Sequence, residues 1–75
     1  MKILVIDGQG GGVGRSIVAA LKAAMPHMPV LALGTNAQAT AAMLKAGADQ
    51  GATGGGAIRY QCKTADVIMG VTGIL

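Results

Sequence analysis

The chain has 75 residues, a formal net charge of +3 and a hydrophobic fraction of 52%. This length fits one small domain and leaves no room for a second. The basic residues are scattered and Tyr60 is the only aromatic residue, which argues against a nucleic-acid surface of clustered cations and stacking rings. The single Cys62 excludes an internal disulfide, and no apolar run has the length of a membrane span. We therefore expect a cytoplasmic protein with neither a membrane nor a nucleic-acid partner.

The first strand and helix are predicted on either side of a glycine-rich segment. Residues 2–6 form a short, mostly apolar and partly β-branched run, as in a buried parallel strand. Apolar residues then recur at helical spacing up to Pro26, which predicts a helix that begins inside the glycines. The apolar positions of this helix are Val13, Ile17, Leu21 and Met25.

A second strand and helix follow. Residues 30–33 form another short apolar run, and Asn36 can cap a helix over 37–46. Gly47 suits the position just after a helix, where positive φ is common. Three residues are expected to share the buried face of this helix: Ala37, Ala41 and Leu44.

The remaining chain predicts a minimal strand over 49–53, a short helix over 57–63 and a strand over 65–70. Strands that alternate with helices indicate a parallel α/β sheet. We predict a three-layer Rossmann-like sheet in an incomplete, N-terminal half-fold, with residues 1–75 as one nucleotide-binding half-domain. Its strand order is 3-2-1-4 if residues 49–53 pair, and 2-1-3 if they do not.

The segment DGQGGGVGRS at 7–16 holds five glycines directly after the first strand. The amino end of a helix that follows a parallel strand attracts phosphate, and five glycines exceed what a plain turn needs. The spacing of Gly8, Gly12 and Gly14 is similar to that of short-chain dehydrogenases. The spacing of Gly8, Gly11 and Gly14 resembles that of atypical dinucleotide binders. NAD(P) or a related adenine nucleotide is the expected ligand.

The candidate cofactor-binding residues lie after three of the predicted strands. An acidic residue that bonds the ribose is expected about 20 residues after such a loop, where this chain has Gly34-Thr35-Asn36. Asn36 is more simply explained as a helix cap, and Arg15 is a candidate contact for the 2′-phosphate of NADP. The candidate set is Gly8, Gln9, Gly10, Gly11, Gly12, Val13, Gly14, Arg15, Thr35, Asn36, Gly70 and Thr72.

A degenerate P-loop that binds ATP is an alternative, since residues 10–16 resemble the end of that motif. Arg15 stands where the P-loop has lysine, and Gln9 stands where it has its first glycine, so the pattern lacks its chemistry. Asp7 is expected to support the loop. Tyr60 and Lys63 are three residues apart, one fewer than in short-chain dehydrogenases. Catalytic residues therefore stay unidentified, and no metal site is predicted.

Four segments together resemble a family of short bacterial proteins that is classed only as a domain of unknown function. They are KILVIDGQGGGVGR at 2–15, GTNAQATAAMLKAGAD at 34–49, GATG at 51–54 and ADVIMG at 65–70. The resemblance implies a Rossmann-like fold and brings no activity, substrate or cofactor with it. Members of that family continue through another helix and strand, which suggests that this chain is a truncated, N-terminal part. The family also tends to carry an acidic residue near Gly55.

A non-catalytic regulatory or assembly module is the alternative from another functional class. Residues 67–75 are the most hydrophobic stretch of the chain. They would leave the edge of the last strand uncovered, and such edges pair readily with other chains. In this hypothesis a homodimer forms through that edge and the glycine-rich segment is structural.

Overall fold

The computed structural model describes residues 1–8 and 12–70. They form an α/β fold with a four-stranded, all-parallel sheet in the order β3-β2-β1-β4, consistent with a Rossmann-like half-fold. The elements in chain order are β1 (Ile3–Asp7), α1 (Gly12–Ala24), β2 (Val30–Gly34), α2 (Ala37–Lys45), β3 (Gln50–Thr53), α3 (Gly55–Cys62) and β4 (Val67–Gly70).

The centre of the sheet is β1, which is buried along its whole length. Ile3 is in register with Val30 of β2 on one side and with Val67 of β4 on the other. The short strand β3 pairs with β2 from Gln50 onward. The predicted order 3-2-1-4 is therefore confirmed, and the alternative order 2-1-3 is wrong because residues 50–53 do pair.

Helices cover both faces of the sheet, and each face has its own apolar cluster. On one face α1 and α2 contribute Val18 and Met43, which pack with Val5, Val30 and Ala32. On the other face Leu4, Ile6 and Leu33 pack beneath Ile58 and Cys62 of α3. Successive side chains of a strand point to opposite faces, so the continuous apolar run of β1 supplies both clusters.

The buried stripe of α1 differs from the sequence prediction. Val18 is fully buried and Gly14 is buried, whereas Val13 is 58% exposed. Met25 lies beyond the end of the helix and is also exposed. Ile17 and Leu21 are half-buried at the margin of the core. The helix therefore turns Gly14 and Val18 toward the sheet, and Val13 faces away from the core.

The predicted face of α2 is wrong. Ala37, Ala41 and Leu44 are exposed, and the buried residues are Ala39, Thr40 and Met43. Alanine marks a helical face weakly because it buries little apolar area. The hydroxyl of Thr40 tolerates burial because it bonds to groups on β3, which the sequence pattern does not reveal.

The helix ends agree with the sequence more closely than the faces do. Asn36 caps α2, with its Oδ1 accepting a hydrogen bond from the Ala39 N–H at 2.8 Å. Gly47, just beyond that helix, has a φ of +117°. The helix α3 begins at Gly55, two residues earlier than predicted, and β4 begins at Val67.

Candidate functional site

The carboxyl ends of all four strands lie along one edge of the sheet, here called the carboxyl edge. It is formed by Asp7, Gly34, Thr53 and Gly70, the last residues of the four strands. Each of the three helices begins just after one of these strands and runs back toward the opposite, amino edge. In parallel α/β sheets, ligands bind beyond the carboxyl edge.

The strand order reverses at β1. From β1 the chain moves outward through β2 to β3, with α1 and α2 on one face. It then returns to the other side of β1, where β4 follows α3 on the opposite face. The carboxyl ends of β1 and β4 thus lie beside each other at a topological switch point, where such sheets open a crevice.

Asp7 joins the end of β1 to the first turn of α1. Its Oδ2 accepts a hydrogen bond from the Gly14 N–H at 2.8 Å, and the residue is only 5% exposed. An N–H in the first turn of a helix has no partner within that helix. The carboxylate therefore satisfies one such group and places a negative charge near the positive end of α1. This is the loop-supporting role that was expected of Asp7.

Two glycines of the first turn of α1 differ in their surroundings. An ideal Cβ on Gly14 would lie 2.6 Å from Met43 Sδ and 3.0 Å from the Cβ and Oδ2 of Asp7. An ideal Cβ on Gly12 would meet nothing within 4 Å. Packing therefore requires glycine at position 14, whereas the described residues give no packing reason for glycine at position 12.

Gly70 ends β4 at the switch point and also requires glycine. Its φ is +91°, which L side chains rarely adopt. An ideal Cβ would in addition lie 2.5 Å from the carbonyl oxygen of Ile6. The backbone of β4 thus approaches β1 closely where the two strands end.

The amino ends of the three helices carry no acidic residue in their first turns. Asp and Glu are favoured there because they offset the partial positive charge of unpaired N–H groups. Asn36 caps α2 with a neutral side chain, and Gly54 precedes α3 without any side-chain cap. Asp7, which belongs to β1, is the one carboxylate that reaches a helix start within the described residues.

Charged side chains are concentrated at the amino edge instead. Lys22, Lys45 and Arg59 lie in the last turns of the helices, and Lys63 follows α3. Asp49 and Asp66 immediately precede β3 and β4, and Lys2 precedes β1. Within residues 1–8 and 12–70 this leaves Arg15, exposed in the first turn of α1, as the one exposed charged side chain near the carboxyl edge.

The structure brings most of the described candidate residues to that edge. Gly8 follows β1, and the first turn of α1 comprises Gly12, Val13, Gly14 and Arg15. Thr35 follows β2, where its N–H donates a hydrogen bond to the Asp7 carbonyl oxygen at 3.1 Å. Four other candidates lie outside the described residues: Gln9, Gly10, Gly11 and Thr72.

One part of the edge was not predicted from the sequence. Thr53 and Gly54 stand between β3 and α3, and an ideal Cβ on Gly54, Gly55 or Gly56 would meet nothing within 4 Å. The sequence did contain a signal for this part of the edge. TGGG at 53–56 lies between a strand and a helix, as the first glycine-rich segment does. By contrast, Tyr60 and Lys63 are exposed toward the other end of α3.

No helix within the described residues combines the length and apolar character needed to cross a bilayer. In that same part of the chain, no group of three or more His, Cys, Asp or Glu side chains is arranged to hold a metal ion.

The family model described as "Domain of unknown function (DUF3842)" matches residues 2–75. No curated protein and no solved structure gives a significant match. The match covers all four strands and confirms the expected resemblance to an uncharacterised family.

Proposed function

The chain belongs to the domain-of-unknown-function family DUF3842, and we propose that it binds NAD(P) or a related adenine nucleotide at the carboxyl edge. One observation carries the proposal. The glycine-rich segment 8–14 joins the carboxyl end of β1 to the amino end of α1, at the point where the strand order reverses. Nucleotide phosphates bind at this position in parallel α/β sheets.

The electrostatics of the edge favour an anionic ligand. Three helix amino ends lie along it, and none has an acidic residue in its first turn. Each such end carries a partial positive charge of about half a unit. Asp7 already accepts the Gly14 N–H, so that group is not offered to the phosphates.

Gly12 supports close approach of the ligand. Among the described residues neither crowding nor a positive φ explains the glycine at this position. A phosphate lying against the backbone would explain it. In this arrangement Thr35 and Asn36 lie near the ribose, and Gly70 borders the crevice.

A titration of the purified chain tests the proposal. Thermal shift and isothermal calorimetry are measured with NAD, NADP, ATP with Mg²⁺, and S-adenosylmethionine. Free ligand at 100 times its Kd stabilises a protein by about 2.7 kcal/mol, so we expect a clear rise in Tm with at least one adenine nucleotide. A cooperative transition that no nucleotide shifts at millimolar concentration would overturn the proposal. Binding of ATP alone, dependent on Mg²⁺, would favour the P-loop alternative.

Two glycine variants locate the binding site. Gly12→Ala adds a methyl group in open space, so we expect the fold to persist while nucleotide affinity falls at least tenfold. Gly55→Ala is the matched control, because Gly55 also begins a helix and its Cβ position is also open. Equal affinity of both variants and the parent chain would exclude phosphate contact at Gly12.

Assembly through β4 is a second candidate function. β4 is an outer strand of the sheet, and its Ile68 is 37% exposed on the face that α3 covers in part. A second copy that paired with β4 would satisfy the edge of the strand and cover this side chain. Analytical ultracentrifugation should then show a dimer that Ile68→Lys dissociates and that Leu44→Lys, at an exposed site on α2, leaves intact. A folded monomer at high concentration would contradict this candidate.

A further inference from the structure

We infer that the nucleotide carries a phosphate on its adenosine 2′-oxygen, so that NADP is bound in preference to NAD. The inference rests on the proposed function and concerns the ribose end of the same site. It follows from two features of the carboxyl edge: Arg15 is exposed there, and the described residues place no exposed carboxylate there.

The end of β2 offers no carboxylate to a ribose. In NAD-binding sheets an acidic side chain at this position bonds the 2′-hydroxyl, and its charge would repel a 2′-phosphate. Here the strand ends at Gly34, where an ideal Cβ would collide with the Oγ1 and backbone nitrogen of Thr40. A side chain therefore does not fit at Gly34, and the two residues that follow are neutral and exposed, Thr35 and Asn36.

The acidic residues that the structure describes either lie at the amino edge or already accept a hydrogen bond at the start of α1. Asp49 and Asp66 stand at the amino edge of the sheet, beyond the opposite ends of the strands. Asp7 is 5% exposed and directs its Oδ2 at the Gly14 N–H. A phosphate dianion beside β2 would therefore face no exposed carboxylate from the described part of the chain.

Arg15 supplies the complementary charge. It is exposed in the first turn of α1, and α1 contacts β1 and β2 along the same face as α2. Its guanidinium forms no ion pair among the described residues. A planar guanidinium can bond two phosphate oxygens at once. Arg15 is thus the residue that would pair with the 2′-phosphate, and Thr35 could donate its hydroxyl.

The test compares ligands that differ only in the 2′-phosphate. Calorimetry is performed with NADP against NAD, and with adenosine 2′,5′-bisphosphate against 5′-AMP. We expect the 2′-phosphorylated member of each pair to bind at least tenfold more tightly. Arg15→Gln should reduce the affinity for NADP to that for NAD. Arg59→Gln, an exposed arginine in the last turn of α3, should leave both affinities unchanged.

Asn36→Asp is the variant that separates NADP binding from NAD binding most directly. Asp caps helices as well as Asn does, so the bond to the Ala39 N–H persists while a carboxylate appears at the end of β2. We expect NADP affinity to fall at least tenfold and NAD affinity to hold or rise. The free energy of unfolding in urea checks that the cap is kept.

The outcomes separate this inference from the proposed function. Equal affinities for NAD and NADP, or tighter NAD binding, would overturn the preference and leave nucleotide binding standing. Tight binding of ATP without discrimination at the 2′-position would do the same. Failure of every nucleotide to bind would overturn both.

Discussion

Asp49 and Asp66 hold equivalent positions in the sheet. Each immediately precedes a strand, and the Oδ2 of each accepts a hydrogen bond from a backbone N–H at the start of the adjacent strand. Asp49 receives the Val30 N–H at 2.8 Å, and Asp66 receives the Lys2 N–H at 2.5 Å. Both therefore fix the register of a strand pair at the amino edge, which also keeps their charges away from the candidate site.

The pair of Asp49 with Lys22 should make stability depend on pH in acid. The Lys22 ammonium, 2.9 Å from Asp49 Oδ2, and then the Val30 N–H hold the pKa of Asp49 below its ordinary value of 3.8. A carboxyl whose pKa is lowered by folding contributes stability above its unfolded pKa and loses it as pH falls through the folded pKa. We expect the stabilisation to be constant above about pH 5 and to disappear below the lowered pKa.

A double-mutant cycle of Asp49→Asn and Lys22→Met, followed by urea unfolding between pH 2 and pH 7, measures this coupling. The coupling should also weaken in high salt, because Asp49 is about half exposed. A coupling that persists unchanged at the lowest pH would show that charge is not its source.

Gly14→Ala should destabilise the fold and Gly12→Ala should not. The methyl group at position 14 would press on Met43 Sδ and on Asp7, and overpacking of this kind costs about 1–3 kcal/mol. At position 12 the methyl group meets open space, and alanine favours a helix over glycine. Urea unfolding of both variants checks the contrast. Equal stabilities would mean that the helix shifts to accommodate the group at position 14.

Asp7→Ala should cost more than Asp7→Asn. The alanine variant leaves the Gly14 N–H without its acceptor in a buried setting, at about 1–3 kcal/mol. The asparagine oxygen can still accept that bond, and the loss of charge near the helix end costs about 0.3–2 kcal/mol in both variants. Thermal unfolding of the two variants at neutral pH gives the comparison. An equal loss in the two variants would show that the charge, rather than the acceptor, matters most.

Thr40→Val should loosen the link between α2 and β3. The Thr40 hydroxyl lies 2.8 Å from Thr53 Oγ1 and 3.2 Å from the carbonyl oxygen of Ala52. Valine keeps the shape but removes these bonds, which costs about 1–3 kcal/mol because the site is buried. Amide hydrogen exchange at residues 50–53 should accelerate. Thr53→Val alone, at an exposed position, should have the smaller effect on stability.

Much of the fold is readable from the sequence because its signals are local. Apolar runs of four or five residues mark β1, β2 and β4, and Pro26, Asn36 and Gly47 mark the ends of helices. Even the short strand β3 was predicted, and its pairing decides the strand order. The carboxyl-edge position of the glycine-rich segment follows from the parallel arrangement of the strands.

The buried faces of the helices were predicted less well than the order of the elements. The wrong face of α2 was chosen because its alanines carry little hydrophobic contrast, so periodicity alone does not select a side. Val13 is one of the apolar positions of α1, but Gly14 is the residue that packs against Asp7 and Met43. Small residues permit such contact, and a pattern based on hydrophobicity overlooks them.

The sequence by itself determined the order and type of the elements, because strand and helix signals act over a few neighbouring residues. Only the tertiary structure decided which groups meet across the chain. It placed the Asp7 carboxylate on the Gly14 N–H and buried the Thr40 hydroxyl against β3. It also gathered along one edge of the sheet three helix amino ends whose own first turns contain no acidic residue. These relationships depend on contacts between distant segments, which exist only once the parallel strands have paired.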